Sequence, residues 1–167
     1  SKAAKLVAFC DAFNIPVLTL TNVKGYESSV ESEKEMAQNA GKLIYAFASA
    51  TVPKVNLIIG DAIGNGCNVM NSKALGADLT FTWPKARIGM IDSLAAAKVM
   101  YPDASLDTIK EKAAEYERLQ ASVESAAERG YVDNIIEPQD TRKYIIAAFE
   151  MLYGKRVNYP EKKHGTL

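Results

Sequence analysis

Val55-Asn56-Leu57-Ile58-Ile59, followed by Gly60-Asp61-Ala62-Ile63-Gly64-Asn65-Gly66, decides the fold of this chain. The first five residues are apolar almost throughout, which is the pattern of a strand covered on both faces in a parallel sheet. The next seven are small enough to read as a turn, and residues 67–75 continue at helical spacing up to Gly76. The unit is therefore strand, turn, helix. Upstream, Pro53 closes a helix whose buried stripe is Leu43, Ala46, Phe47 and Ala50, because proline cannot continue a helix. Either Ser29 or Ser32 can cap its start. Still further upstream, the β-rich run Val17 to Asn22 follows a helical pattern carried by Ala4, Leu6, Val7, Cys10 and Phe13.

Downstream, Asp78 to Trp83 and Arg87 to Ile91 read as strands, and Ala95 to Met100 as a helix. Ser105 is placed to cap the helix after it, and residues 121–129 continue or restart that helix. Val132 to Ile136 reads as a last strand, followed by an amphipathic helix with Ile145, Ala148, Phe149 and Leu152 on one face. Residues 158–167 form a polar tail. Alternating strands and helices define an α/β architecture with layered packing.

A chain of 167 residues is long enough for one domain with a real core. Its 20 basic and 20 acidic residues balance. That argues against a nucleic-acid surface, which needs a basic excess, and against a polybasic membrane patch. No apolar run reaches the ~18–20 residues of a membrane span. Two cysteines, Cys10 and Cys67, do not make a disulfide framework, so free thiols in a reducing cytoplasm are expected. The first residue is Ser1 and a helix is under way by Lys2, which leads us to expect a fragment whose missing part lies upstream.

The side-chain inventory excludes several chemistries. The single histidine, His164, lies in the polar tail, so a Ser-His-Asp or Cys-His site is not expected. There is no CxxC, no HExxH and no phosphate-binding GxxxxGK[ST]. What remains is chemistry done by the backbone. Gly64-Asn65-Gly66 precedes a helix, whose first N–H groups are unpaired and carry partial positive charge. Two such groups aimed at one oxygen make an oxyanion hole, worth about 2.7–4 kcal/mol in a transition state. On local spacing alone, tight helix-on-strand packing is the better reading of these glycines. Cys67, at the start of the same helix, is either activated by it or simply a buried structural thiol. Gly25-Tyr26 follows another strand and faces the same edge if the strands are parallel, and ligands of open α/β sheets bind outside the carboxyl ends of strands.

Several blocks resemble one family. Phe9-Cys10-Asp11-Ala12-Phe13-Asn14-Ile15-Pro16-Val17 resembles the FCDAFNIPL segment of acyl-CoA carboxylase carboxyltransferase subunits. Residues 45–55, YAFASATVPKV, resemble their YAFAEATVPKV, and residues 69–78, VMNSKALGAD, their VMSSKHLGAD. Trp83-Pro84 fits their WPTAEI segment, and residues 126–136, AAERGYVDNII, their AAxRGFVDDII. Thr141-Arg142 and the closing Lys162-Lys163-His164-Gly165 also fit. The blocks keep their order over nearly the whole chain.

The resemblance implies a crotonase/ClpP-like spiral fold, a mostly parallel sheet surrounded by helices. It implies that residues 1–167 are the C-terminal carboxyltransferase domain of a longer subunit, the biotin-facing half of a biotin-dependent acyl-CoA carboxylase or decarboxylase. The N-terminal half of that family binds acyl-CoA, and the active site forms between halves of different subunits. The implied partners are therefore acyl-CoA, held mostly by the N-terminal half, a biotin carboxyl carrier protein, and further copies of the subunit in a dimer-based oligomer, up to a hexamer. Biotin arrives on the carrier and is not attached to this chain. In the family, two backbone N–H groups stabilise charge on the biotin ureido oxygen. The family's AYGGAYDVM aligns with residues 62–70, so the donors fall on Asn65 and Gly66, flanked by Gly64 and Cys67. The aspartate that influences acyl choice becomes Asn68. The VPGF loop becomes Val23-Lys24-Gly25-Tyr26, and the MGAKGA loop of the biotin pocket becomes Met90-Ile91-Asp92-Ser93-Leu94-Ala95, with Ile91 and Asp92 against the cofactor. Asn65, Asn68 and the loss of both glycines at residues 90–95 depart from the family pattern. Two other readings stand beside this one. A crotonase-type hydratase or hydrolase would need a catalytic carboxylate, for which Asp92 is the only candidate, though a helix cap suits it better. The remaining reading is a catalytically degenerate structural subunit.

Overall fold

The computed structural model describes residues 2–160. His164 and the closing Lys162-Lys163-His164-Gly165 block lie outside the described residues. The chain opens with helix α1 (Lys2–Ala12), strand β1 (Val17–Val23) and helix α2 (Val30–Ser49). Strand β2 (Lys54–Ile63) and the short helix α3 (Gly64–Val69) follow, then a 3-10 turn at Lys73–Leu75. Strands β3 (Leu79–Thr82) and β4 (Arg87–Gly89) lead to helices α4 (Ser93–Met100) and α5 (Leu106–Tyr116). A π turn at Glu117–Ala121 joins α5 to α6 (Val123–Glu128), and strand β5 (Asn134–Ile135) precedes α7 (Thr141–Leu152).

All strand pairs are parallel, in the order β1-β2-β3-β5, with β4 also pairing β2. Strand β2 is the spine. Its first half pairs β3 from Val55↔Leu79 to Ile58↔Thr82, and its second half pairs β4 from Asp61↔Arg87 to Ile63↔Gly89. Because side chains alternate faces along a strand, Val55 and Leu57 pack with Phe81, Ile136 and Ala148 under α7. Ile58 and Ala62 pack with Ala86, Ile88, Val123, Ala126 and Val132 on another side. Both faces are covered, and this is why the strand is apolar nearly throughout. Val7, Phe47, Ala50 and Val52 form a third cluster where α1 meets α2.

Two expectations are corrected. Residues Gly60 to Ile63 are strand rather than turn, because β4 supplies them with a neighbour. The following helix begins at Gly64 instead of Cys67 and stops at Val69, with Asn71 in the left-handed region (φ 53°). Along the helical pattern at the start of the chain, Val7 is buried and Ala4 and Cys10 are half-buried, while Leu6 is 63% and Phe13, just past α1, 64% exposed. The caps fall where expected. Ser29 Oγ accepts from the Ser32 N–H at 3.1 Å, and Ser105 Oγ accepts from Thr108 N–H. Among the described residues, no helix is long and apolar enough to cross a membrane.

Candidate functional site

Parallel pairing brings the carboxyl ends of β1, β2 and β4 to one place, and α3 stands at its centre. Gly66 is pressed against the end of β1: a Cβ built there would lie 2.8 Å from Val23 Cγ1 and 3.7 Å from the Gly25 carbonyl. Gly64 has φ +71°, a conformation that side chains rarely adopt, and its Cβ direction points at the Met90 carbonyl, 3.8 Å away. One six-residue helix therefore touches the loop after β1 through Gly66 and the loop after β4 through Gly64.

The start of α3 is bare. Its N-cap is Ile63, whose side chain accepts no hydrogen bond, so the cap leaves the first N–H groups of the helix to other acceptors. Two hollows flank the helix. A wide one of about 620 Å³ is lined by Tyr26, Gly66 and Val69 together with Ser32, Glu35 and Met36 of α2. A narrower one of about 300 Å³ is lined by Gly64, Cys67, Asn68 and Met90, with Tyr116, Gln120 and Arg129 closing it from the helical side. Asn65 is exposed at the tip between them.

The sequence-derived candidates divide accordingly. Gly25, Tyr26, Gly64, Asn65, Gly66, Cys67 and Asn68 are brought together around α3. Ile91 and Asp92 lie just past Met90 and are exposed. The Asp92 carboxylate is occupied as the N-cap of α4, accepting from Leu94 N–H at 3.1 Å and Ala95 N–H at 3.3 Å. That leaves it poorly placed to act as a base, and the hydratase reading loses its only carboxylate. Burial pushes the Cys67 thiol up to about 11, so it stays protonated at neutral pH. Between the two readings of this cysteine, the structural one holds. Among the described residues, no cluster of three or more His, Cys, Asp or Glu could hold a metal ion.

Sequence reading missed the helical wall of the narrow hollow and the charged pair joining β2 to β4. Asp61 accepts from Arg87 Nε at 2.7 Å, and that hydrogen bond holds its carboxyl below the usual carboxylate range. The one signal available was Asp61 itself, a charge inside a run of small and apolar residues.

A parallel sheet surrounded by helices, with the ends of its strands meeting at a short helix that no side chain caps, defines a crotonase-type unit. The chain belongs to the carboxyl transferase domain family, whose sequence model matches residues 1–167. A putative propionyl-CoA carboxylase beta chain of Bacillus subtilis is 44% identical over 173 residues, covering 99% of this chain and 34% of that protein. The methylmalonyl-CoA decarboxylase subunit alpha of Propionigenium modestum is 41% identical, again over 99% of this chain and 34% of its own length. The crystal structure of transcarboxylase 12S, described as a hexamer assembly with methylmalonyl-coenzyme A bound, superposes with a TM-score of 0.94 at 39% identity. It covers 98% of this chain and 32% of that one. The chain thus spans about a third of the length of the curated relatives it matches.

Proposed function

We propose that this chain is the C-terminal, biotin-facing domain of a longer carboxyltransferase subunit, and that the subunit moves a carboxyl group between carboxybiotin and a short acyl-CoA. The observation that carries this reading is the uncapped start of α3, held between the loops after β1 and β4 where no catalytic acid, base or nucleophile is in place. Biotin, when bound, carries the carboxyl group in transit. The Asn65 and Gly66 N–H groups donate to an oxygen that gains negative charge in the reaction. An amide suits this task because it needs no proton exchange and is fixed in direction before the ligand arrives. The residues fit such a ligand: Gly66 admits no Cβ and so keeps the backbone close to β1, and Asn65, though not glycine, retains its N–H and directs its side chain into solvent. Gly25, Tyr26 and Gly64 frame the donors. Cys67 and Asn68 line the narrow hollow beside them. Ile91 and Asp92 border the site on the β4 side, with Asp92 acting through the cap it provides to α4.

Acyl-CoA is held mainly by the remainder of the subunit, and the complete protein is an oligomer served by a biotin carboxyl carrier protein. The test uses the complete subunit, free biotin and malonyl-, methylmalonyl- or glutaconyl-CoA, following loss of the carboxylate. Biotin-dependent decarboxylation of one of them is the expected result and names the acyl group. No turnover with any of them, from a folded oligomer, would remove the activity from this reading and leave a degenerate subunit.

A further inference from the structure

The sheet is interrupted where it opens for the site. Between Thr21↔Ile58 and Val23↔Ala62, strand β2 carries three residues opposite one, so the backbone ladder is broken. Bulges of this kind redirect a strand next to a functional site. Side chains take over the ladder's task here. Asn22 Oδ1 accepts from the Asp61 N–H at 2.9 Å, with Gly60 directly beneath it: a Cβ on Gly60 would lie 2.7 Å from that oxygen.

Asp61, so fixed, meets Arg87, its cross-strand partner on β4, through the 2.7 Å bond from Nε. The other end of the same guanidinium lies 3.9 Å from Glu117 Oε2, at the first position of the π turn. Ser93 Oγ donates to that same Glu117 oxygen at 3.1 Å, and Ser93 is the first residue of α4, next to Asp92. On the far side, Lys24 Nζ is 3.7 Å from Asp61 Oδ2, one residue before Gly25. The Arg87 guanidinium thus joins two carboxylates: Asp61, on the strand that runs into α3 and within reach of Lys24 in the β1 loop, and Glu117, which holds the start of α4 through Ser93.

We propose that Arg87, bridging Asp61 and Glu117, is a positioning residue that holds the loops at 24–26 and 90–92 and the start of α3 at 64–66 at the spacing carboxyl transfer requires; the proposal rests on the carboxyltransferase reading above. Arg87 touches none of the reacting atoms. Its side chain is 35% exposed and that of Glu117 is 42% exposed, so the outer pair adds little to global stability. Its effect lies in placement, since a displacement of about 1 Å can cost about 10²-fold in rate. The Asp61 end of the bridge is a directed hydrogen bond at 2.7 Å, and the Glu117 end is an ion pair at 3.9 Å; a shorter-reaching, point-like ammonium cannot keep the first while approaching the second.

The test combines kinetics with amide hydrogen exchange on the complete subunit. Arg87→Gln is expected to lower kcat by about 10²-fold while KM for acyl-CoA stays within about threefold. Exchange should rise at residues 24–27 and 90–95 and stay unchanged in α1 and α7, with the melting temperature retained. Arg87→Lys should regain part of kcat. Wild-type kcat in Arg87→Gln would overturn the proposal. So would lost activity with exchange rising throughout the molecule, which marks a merely structural residue. If Arg87→Gln fails to fold, Glu117→Gln, at the outer end of the bridge, must raise exchange at 90–95 alone, and no local change there would equally overturn it. A wild-type subunit without turnover defeats the carboxyltransferase reading instead, and the exchange pattern still decides whether the bridge holds the loops.

Discussion

At Gly66 the requirement is for space. The Val23 methyl sits where a Cβ would go, at 2.8 Å, and a branched β-strand side chain cannot swing away cheaply. Gly66→Ala is therefore expected to cost about 1–3 kcal/mol, the usual range for overpacking. The added Val23→Ala change should restore most of it, although Val23→Ala alone weakens the packing. Urea denaturation of the two single variants and the double variant measures this coupling. Additive costs would show that Gly66 is required for some reason other than its contact with Val23. The neighbouring Cys67 illustrates why residue type alone misleads. A thiol in the first turns of a helix invites a reactive reading, yet burial outweighs the helix, and the thiol is held near 11.

At the scale of elements, α3 and α4 divide the labour. Helix α3 is only six residues long and has no side-chain cap, so its start is open to a ligand. Helix α4 is closed by Asp92, which takes two N–H groups. Asp92→Ala should destabilise by about 1 kcal/mol, as loss of a cap does, while decarboxylation in the complete subunit falls far less than the ~10²–10⁴-fold expected for loss of a general base. A base-like loss of rate with unchanged stability would restore Asp92 as a catalytic group and revive the hydratase reading. The elements themselves were largely legible. The two-sided cover of β2 could be read from Val55 to Ile59, the cap at Ser105 from its position before apolar periodicity, and the first cap as Ser29 or Ser32, between which only the structure chose Ser29. The extension of β2 through Gly60 to Ile63 was not, because what makes it a strand is β4, a neighbour more than twenty residues away. Nor was the bridge through Arg87, which depends on a π turn between α5 and α6 that no local pattern announces.

At the scale of the molecule, the same sequence that built three good core clusters left large apolar side chains uncovered. Leu6 and Phe9 of α1 and Phe13 just after it are exposed, with the rings of Phe9 and Phe13 4.6 Å apart, and so are Leu18 and Leu20 of the edge strand β1. The same holds for Val99, Met100 and Leu106, with Val99 75% exposed. Helical spacing showed the pattern of α1 but not its partners: the chain's own fold buries Val7 and half-buries Ala4 and Cys10, and leaves Leu6 and Phe9 open. Leu6, Phe9 and Phe13, three and four residues apart, make an apolar patch of the kind that marks contact with other protein, which agrees with a chain that spans about a third of its relatives. Two consequences follow for the 167 residues made alone. The donors at Asn65 and Gly66 would be present without the proposed acyl-CoA-binding half, so incubation with biotin and the acyl-CoA turned over by the complete subunit should give no decarboxylation. The uncovered faces should also drive self-association, visible as a concentration-dependent rise in sedimentation coefficient that Phe9→Ser together with Phe13→Ser reduces. Clear turnover by the isolated chain would contradict a site shared between halves. A strictly monomeric chain at all concentrations would show instead that these apolar faces are tolerated in water, and that their cover in the complete subunit contributes little to its assembly.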